Sequence, residues 1–351
     1  MDEVKVSKWI KNNTYDFSEY NDYDKLYRMK NLKKLTISII IPILEEEKTI
    51  GNILTVLLNE LVEKIPLIDE IIVIDGGSKD STIDICNSFV PKIRLIHEKD
   101  VLSNFETNKG KGNQLWKGLY STNCDIVTYM DSDLKNFHER FAVGILGPLL
   151  MNDNIKFVKG FYDRKITTSN ISSSNNGGRV TELCARPMIN MIYPDLSGFI
   201  QPLGGEYGGY TNILRKVHYS SGYGVEVKLL IEIYEKFGLD CMAQINLYSK
   251  EHNHQPLNAL TKMSCTIMKT ILNSKFNISL NSSKLLIKNM KIDDKDSSIK
   301  KRSEEHIQCN DNGEIIGDGH FKLCNINEIV LPPLIYIVNE IENNNKDINI
   351  I

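Results

Sequence analysis

A mixed α/β fold, with a mostly parallel central sheet flanked by helices, is predicted by three features of this sequence. Short apolar runs such as Leu35–Ile41 and Glu70–Ile74 alternate with longer stretches of helical spacing. Those runs are continuously apolar, as strands covered on both faces are, rather than alternating. The polar and Gly-rich clusters of the first half fall directly after the runs, where ligands bind in parallel sheets.

The elements follow in order. Residues 1–34 are a polar, aromatic lead-in, irregular or helical. Leu35–Ile41 reads as a strand, and Lys48–Val62 as a helix with Ile50, Ile53, Leu54, Leu57 and Leu61 on one face. Glu70–Ile74 is a second strand, Asp80–Phe89 a helix and Ile93–Ile96 a third strand. Gly112–Tyr120 is a helix, and Asp125–Met130 and Lys156–Tyr162 are strands. The Ser/Asn/Gly-rich Thr167–Gly178 is a loop. Gly178–Ile192 is a helix that Pro187 must kink. Gly224–Phe237 is a helix, Cys241–Leu247 a strand and Leu257–Leu272 a helix. Lys291–Glu305 is dense in charge and expected to be exposed or disordered. Asn343–Asn345 belongs to a low-complexity tail.

Composition narrows the function. The 351 residues are 41% hydrophobic and 25% charged, ordinary globular values. A net charge of −3 argues against a nucleic-acid partner. Seven cysteines, at 86, 124, 184, 241, 265, 309 and 324, form no C-x-x-C pair and suit reduced thiols of a cytoplasmic protein. The first residues hold no apolar leader. The longest apolar stretches, around Ile37–Leu44 and Leu331–Val338, fall short of the roughly 18 residues of a membrane span. A soluble chain with no membrane partner is expected.

The chemistry centres on Asp131-Ser132-Asp133, which ends the apolar run Ile126–Met130. A buried strand ending in two carboxylates holds them where a divalent cation and a nucleotide diphosphate can share them. Asp133 is the expected metal ligand, with Asp131 at the ribose or acting on the metal indirectly. Hard oxygen ligands beside phosphates favour Mg²⁺ or Mn²⁺. Pro42–Glu47 can grip a nucleoside, its acids serving either ribose hydroxyls or a helix dipole. Asp75–Thr82 pairs two glycines with Asp75 and Ser78 near a base, while Asp80 or Ser81 caps a helix. Asn108–Asn113 is a basic turn offering N–H groups and Lys111 to a phosphate, or a plain surface turn. Gly177–Glu182 forms an anion site from Arg179 and Thr181, unless Arg179 is spent on Glu182. Glu226 falls on the apolar face of its helix and so requires a partner, in a donor-sugar, acceptor or structural role. His252 is either a second metal ligand or an ordinary hydrogen-bonded histidine, and Lys250 can face the diphosphate.

Read in order, these segments resemble the retaining GT-A glycosyltransferases that make glucosyl-3-phosphoglycerate. The likeness spans most of residues 35–275 and is carried most specifically by Gly177-Gly-Arg-Val-Thr-Glu-Leu183, Gln201-Pro-Leu-Gly-Gly-Glu-Tyr207 and Gly222-Tyr-Gly-Val-Glu226. It implies the GT-A (nucleotide-diphospho-sugar transferase) fold with a helical C-terminal extension. The chain then divides into a lead-in (1–34), a nucleotide-binding half (35–163), an acceptor-binding half (164–275) and a partly flexible extension (276–351). The resemblance also implies nucleotide-sugar contacts from Pro42, Glu46, Asp75, Ser78, Lys111, Asp131 and Lys250. Leu203 and Gly204 would line the donor sugar and Glu226 would hold it. Metal binding would fall to Asp133 and His252, and acceptor binding to Gly178, Arg179, Val180, Thr181 and His254. The family carries Arg and Asn on either side of the metal histidine, where this chain has Lys250 and His254. Lysine keeps the charge without the bidentate fork.

The expected activity is transfer of glucose from NDP-glucose, with UDP-glucose the expected donor, to the 2-hydroxyl of 3-phosphoglycerate with retention. Asp133, Glu226 and Lys250 would be catalytic. A homodimer is among the assemblies allowed. Transfer to free glycerate or from GDP-mannose, a nucleotidyltransferase, and a non-catalytic nucleotide-sugar binder are the alternatives.

Overall fold

A computed structural model describes residues 3–103, 105, 108–164, 178–251, 256–277, 284–288, 308–309, 315–316, 321–326 and 328–338. Its main sheet uses β1 (Thr14–Asp16), β2 (Ile37–Ile43), β3 (Glu70–Asp75), β4 (Arg94–His97), β5 (Ile126–Tyr129), β6 (Phe157–Arg164), β7 (Tyr207–Tyr210) and β9 (Met242–Lys250). β8 (Tyr219–Ser220) lies outside it. The strand order is β1-β9-β6-β7-β5-β2-β3-β4. All neighbours run parallel except around β7, which is antiparallel to both β5 and β6. β2 is buried along its whole length, as its unbroken apolar run implies. Register places Ile43 beside Asp75 and Ile40 beside Tyr129, so the ends of β2, β3 and β5 share one rim.

Helices cover both faces. One core joins Ile39, Ile41 and Ile43 to Leu54, Phe141 and Leu146. The other joins Ile40 and Ile74 to Trp116, Leu119, Leu229 and Ile271. This three-layer packing is the predicted class.

Two elements went unanticipated, for a common reason. The helix Arg140–Met151 contains Gly144, Gly147 and Pro148, and β7 reads Tyr-Gly-Gly-Tyr; both score poorly on local propensity. Packing explains the glycines. A Cβ on Gly147 would lie 2.3 Å from the Tyr20 ring, and one on Gly208 would lie 2.7 Å from the Val127 carbonyl oxygen. The lead-in is part of this body: β1 is the sheet edge beside β9, and the buried Trp9 indole donates to the Met242 carbonyl at 2.9 Å. The kink expected at Pro187 appears as a wide π turn, Thr181–Ala185, leading into Arg186–Ile192.

The C-terminal extension departs from the helical expectation. Its described elements are mainly strands: Lys284–Lys288 pairs with Phe321–Asn325, Gln308–Cys309 with Ile315–Ile316, and Val330–Leu331 with β8. Among its described residues, helix is found at 334–338 and at Phe276, the last residue of the preceding helix. Leu-Leu-Ile and Phe-Lys-Leu-Cys favour extended pairing over a helix. The charged stretch Lys291–Glu305, and Asn343–Asn345, lie outside the described residues. Cys86, Cys124, Cys184, Cys241 and Cys265 are free thiols. No helix among the described residues is long and apolar enough to cross a membrane.

Candidate active site

The acidic pair sits just past β5, and two lysines close on it from opposite sides. Lys111 opens the helix Lys111–Tyr120 and Lys250 ends β9. Their ammonium groups lie 2.6 Å from Asp131 Oδ1 and Oδ2 respectively. Lys111 also reaches Glu226 Oε1 at 2.7 Å, and Lys250 reaches Glu206 Oε1 at 2.6 Å. Burial alone would raise the pKa of Asp131, but Lys111 and Lys250 outweigh it and hold the group well below the ordinary carboxylate range. Burial would lower both lysines, yet the facing carboxylates push them well above their usual value. The result is a fixed row of charged and polar groups on the sheet rim, with burial raising the pKa of Glu206 at its inner end. Glu226 has the partner its place on an apolar face demanded. Lys250 is only 2% exposed and is spent on Asp131 and Glu206 rather than pointing into open solvent.

Backbone proximity makes this row possible. A Cβ on Gly112 would lie 1.8 Å from the Ser220 carbonyl oxygen, and one on Gly110 would lie 2.7 Å from that of Ser221. The Lys109–Gly112 turn therefore rests directly on the loop leading to Glu226, and only glycine permits that approach.

Asp133 is different in kind. Among the described residues it makes no ion pair, and burial, with the like charge of Asp131, raises its pKa. Glu46 is pushed up to about 7 by burial and then by Asp133. The loop around them is tied down: Thr49 Oγ1 donates to the Ser132 carbonyl (2.6 Å) and to Glu46 Oε2 (3.2 Å), and Ser132 Oγ to the Pro42 carbonyl (2.8 Å). Asp133 is a hard oxygen donor whose charged form is disfavoured by burial and Asp131, only partly offset by Lys250 and Lys111, and so fits one ligand of a divalent cation. No group of three metal-ligating side chains occurs among the described residues. His252, the expected further ligand, and His254 lie outside them.

On the nucleoside side, Asp75 is 4% exposed and largely committed to its own loop. Its Oδ1 accepts from Ser78 N (2.9 Å), and its Oδ2 from Gly77 N (3.0 Å) with His97 Nδ1 at 3.2 Å. Burial would raise its pKa, but these bonds lower it. Asp75 thus shapes the Gly76–Ser78 loop, and Ser78 Oγ in turn accepts from Glu45 N at 3.0 Å. Of the two capping candidates, Ser81 stands at the N-cap without a side-chain bond, and Asp80, one residue earlier, accepts from Thr82 N at 3.1 Å.

Leu203 and Gly204 precede β7 and reach the same rim. A Cβ on Gly205 would sit 2.2 Å from both Asp131 carboxylate oxygens, so this turn lies directly on the acidic pair. Three residues not anticipated as site members complete it: Gly205, the fully buried Glu206, and Lys159 of β6. Lys159 Nζ donates to the Gly204 carbonyl at 2.6 Å and lies 4.5 Å from the Tyr207 ring centre. Burial lowers its pKa to about 7. A lysine inside the apolar run Phe157–Tyr162 was the readable sign; Glu206 needed the fold to reveal it.

The acceptor candidates begin another helix. Gly178 takes φ +87°, Arg179 is exposed, and Val180 and Thr181 are buried. Glu182 is engaged by Arg186, at 2.9 and 3.2 Å, one turn later. Residues 165–177, which lead into this turn, are outside the described set.

The Glycosyl transferase family 2 model matches residues 38–145, the segment from β2 into the helix after the acidic pair. The chain is 40% identical over 294 residues to the glucosyl-3-phosphoglycerate synthase of Petrotoga mobilis, covering 84% of this chain and 88% of that protein. It is 39% identical over 239 residues to the enzyme of that name from Mycolicibacterium smegmatis, covering 68% and 77%. The crystal structure of mannosyl-3-phosphoglycerate synthase from Rubrobacter xylanophilus superposes with TM-score 0.77 at 29% identity, covering 95% of this chain and 98% of the other. That of glucosyl-3-phosphoglycerate synthase from Mycobacterium tuberculosis, in complex with Mn²⁺, UDP and phosphoglyceric acid, superposes with TM-score 0.72 at 31% identity, covering 90% and 95%. The Mycobacterium tuberculosis enzyme is also known in complex with Mg²⁺ and UDP.

Proposed function

We infer the reaction from one premise: this chain belongs to the glucosyl-3-phosphoglycerate synthase family of glycosyltransferases. We propose that it transfers glucose from UDP-glucose to the 2-hydroxyl of 3-phosphoglycerate, retaining the α configuration. The observation that carries the reading is the Lys111–Asp131–Lys250 row, bounded by Glu226 and Glu206. The carboxylates hold the lysines in place, so that positive charge beside a departing diphosphate needs little reorganisation, and such electrostatic stabilisation is usually a large part of catalysis.

In this reading Pro42, Glu46 and Ser78 contact the nucleoside, with Asp75 shaping their loop. Lys111, its side chain 23% exposed, faces the diphosphate, while the buried Lys250 acts from behind it by holding Asp131. Leu203 and Gly204 line the hexose, and Glu226, steadied by Lys111, accepts a hydrogen bond from a sugar hydroxyl. Asp133, with His252, holds Mg²⁺ or Mn²⁺, which supplies countercharge to the leaving phosphates. Arg179 and Thr181 take the acceptor phosphate, and Val180 and Gly178 offer backbone N–H groups at the helix start. Glu226 is held by an ammonium and is a poor nucleophile, which favours attack on the sugar face the diphosphate leaves. A glycosyl adduct trapped on Glu226 would rule that out.

A mannosyl donor is the second reading, favoured by the superposition on the Rubrobacter structure. The test is a panel of UDP-glucose and GDP-mannose against 3-phosphoglycerate and glycerate, with and without Mg²⁺ or Mn²⁺, products identified by mass. Glucosyl-3-phosphoglycerate formed only with metal is the expected result. Turnover indifferent to the acceptor phosphate would remove Arg179 from its role.

A further inference from the structure

We propose that Glu328 is a positioning residue for the donor site, holding from the C-terminal segment the turn that brings Glu226 to Lys111. This rests on the reading that Lys111 and Glu226 hold the donor.

The helix Val225–Phe237 carries Glu226 in its first turn, and its N-cap, Gly224, has no side chain to satisfy the leading N–H groups. Glu328, 104 positions away, instead ties down the N-cap residue itself and the turn before it. Its Oε1 accepts from Gly224 N at 2.8 Å, Gly222 N at 3.0 Å and Ser220 Oγ at 2.7 Å. One carboxylate oxygen thus gathers the whole turn, and a negative charge at a helix N-terminus is favourable. Gly224 is an ordinary αR residue (φ −77°), so its backbone does not require glycine. Space does: a Cβ there would lie 2.3 Å from Thr270 Oγ1 and 2.9 Å from Glu328 Oε1.

The neighbouring contacts carry the hold to the other partner. Ser221 N donates to the Ile329 carbonyl at 2.9 Å, and Ser221 Oγ accepts from Ile329 N at 3.0 Å. The Ser221 carbonyl accepts from Asn113 N, at 2.8 Å, in the first turn of the helix that begins with Lys111. Further along that helix the Trp116 indole donates to the Pro332 carbonyl at 2.9 Å. Leu331 and Leu334 are buried in the core beneath. The segment from Glu328 to Leu334 therefore braces both helices whose first turns present the Lys111–Glu226 pair.

The test uses full-length protein carrying Glu328→Gln, Glu328→Ala, Glu226→Gln, and Glu226→Gln with Glu328→Gln. UDP-glucose affinity is read by calorimetry with Mn²⁺, kcat and KM for both substrates by steady state, and folding by circular dichroism. Glu328→Gln should keep the fold and weaken donor affinity and kcat/KM by roughly tenfold, with acceptor KM little changed. In the Glu226→Gln background the further loss of affinity should largely vanish. Wild-type donor affinity and kcat/KM in a folded Glu328 variant would overturn the proposal. So would an equal loss in both backgrounds, or a failure of both Glu328 variants to fold, which would make the residue one of folding alone. Wild-type behaviour of Glu226→Gln would instead sink the reading of the donor site itself.

Discussion

Lys111 and Glu226, 115 positions apart in the chain, meet at 2.7 Å between the first turns of two different helices. The Glu226 side chain is 6% exposed, so removing its partner strands a buried charge. Such losses cost on the order of 3–5 kcal/mol, whereas replacing both members is often near neutral. Lys111→Met should therefore lower unfolding free energy by about that amount. Lys111→Met with Glu226→Leu should recover only part of it, because Asp131 is left with Lys250 alone, while turnover stays at background. Denaturant unfolding and product assay on the same samples check both halves, and recovery of activity with stability would refute the role.

Asp133 gives the opposite sign. A carboxylate raised by burial and by a like-charged neighbour is a liability to the metal-free fold. Asp133→Asn should leave metal-free melting unchanged or slightly higher, yet abolish Mn²⁺-dependent transfer. His252→Ala should likewise abolish it with the fold intact. Retained activity in both would place the cation elsewhere.

Lys159 predicts a pH dependence. Its folded pKa, about 7, lies below the unfolded value near 10.5. Between those values the unfolded chain binds the extra proton, so stability rises with pH, on the order of 1 kcal/mol per unit. Below about 7 the full penalty is present. Unfolding free energies at pH 7 and 9 should show wild type gaining relative to Lys159→Met, and parallel behaviour would mean the lysine stays charged.

Gly205→Ala would thrust a methyl to 2.2 Å from both Asp131 oxygens. Either the 203–206 turn or the acidic pair must move, and overpacking of this kind costs roughly 1–3 kcal/mol. Donor kcat/KM should fall about a hundredfold, since misplacement of about 1 Å suffices for that. Near-normal kinetics would show the turn free to yield.

Much of this was legible in the chain. Continuous apolar runs announced β2, β3 and β5, and Glu226 announced itself by interrupting an apolar helical face. Arg140–Met151 and β7 were hidden because their glycines answer to distant neighbours, Tyr20 and Val127, which no local window contains. Glu206 and Glu328 were hidden for a related cause: each is a carboxylate whose meaning lies in partners 44 and 104 positions away. Lys228 and Glu232 lay on the polar face of their helix, yet both are buried, pairing at 3.0 Å under cover of His218 and Ser274.

The reversed direction of β7 has a consequence for how selectivity can change. Because that strand runs against both neighbours, its entry turn, and no other part of it, arrives at the rim where the nucleotide segments end. The residues proposed to face the hexose thus sit in a turn separate in sequence from every loop expected to grip the base. In the proposed reading Leu203 and Gly204 can vary with the sugar, whereas Gly205 and Glu206, set against Asp131 and Lys250, are tied to the nucleotide side and must stay.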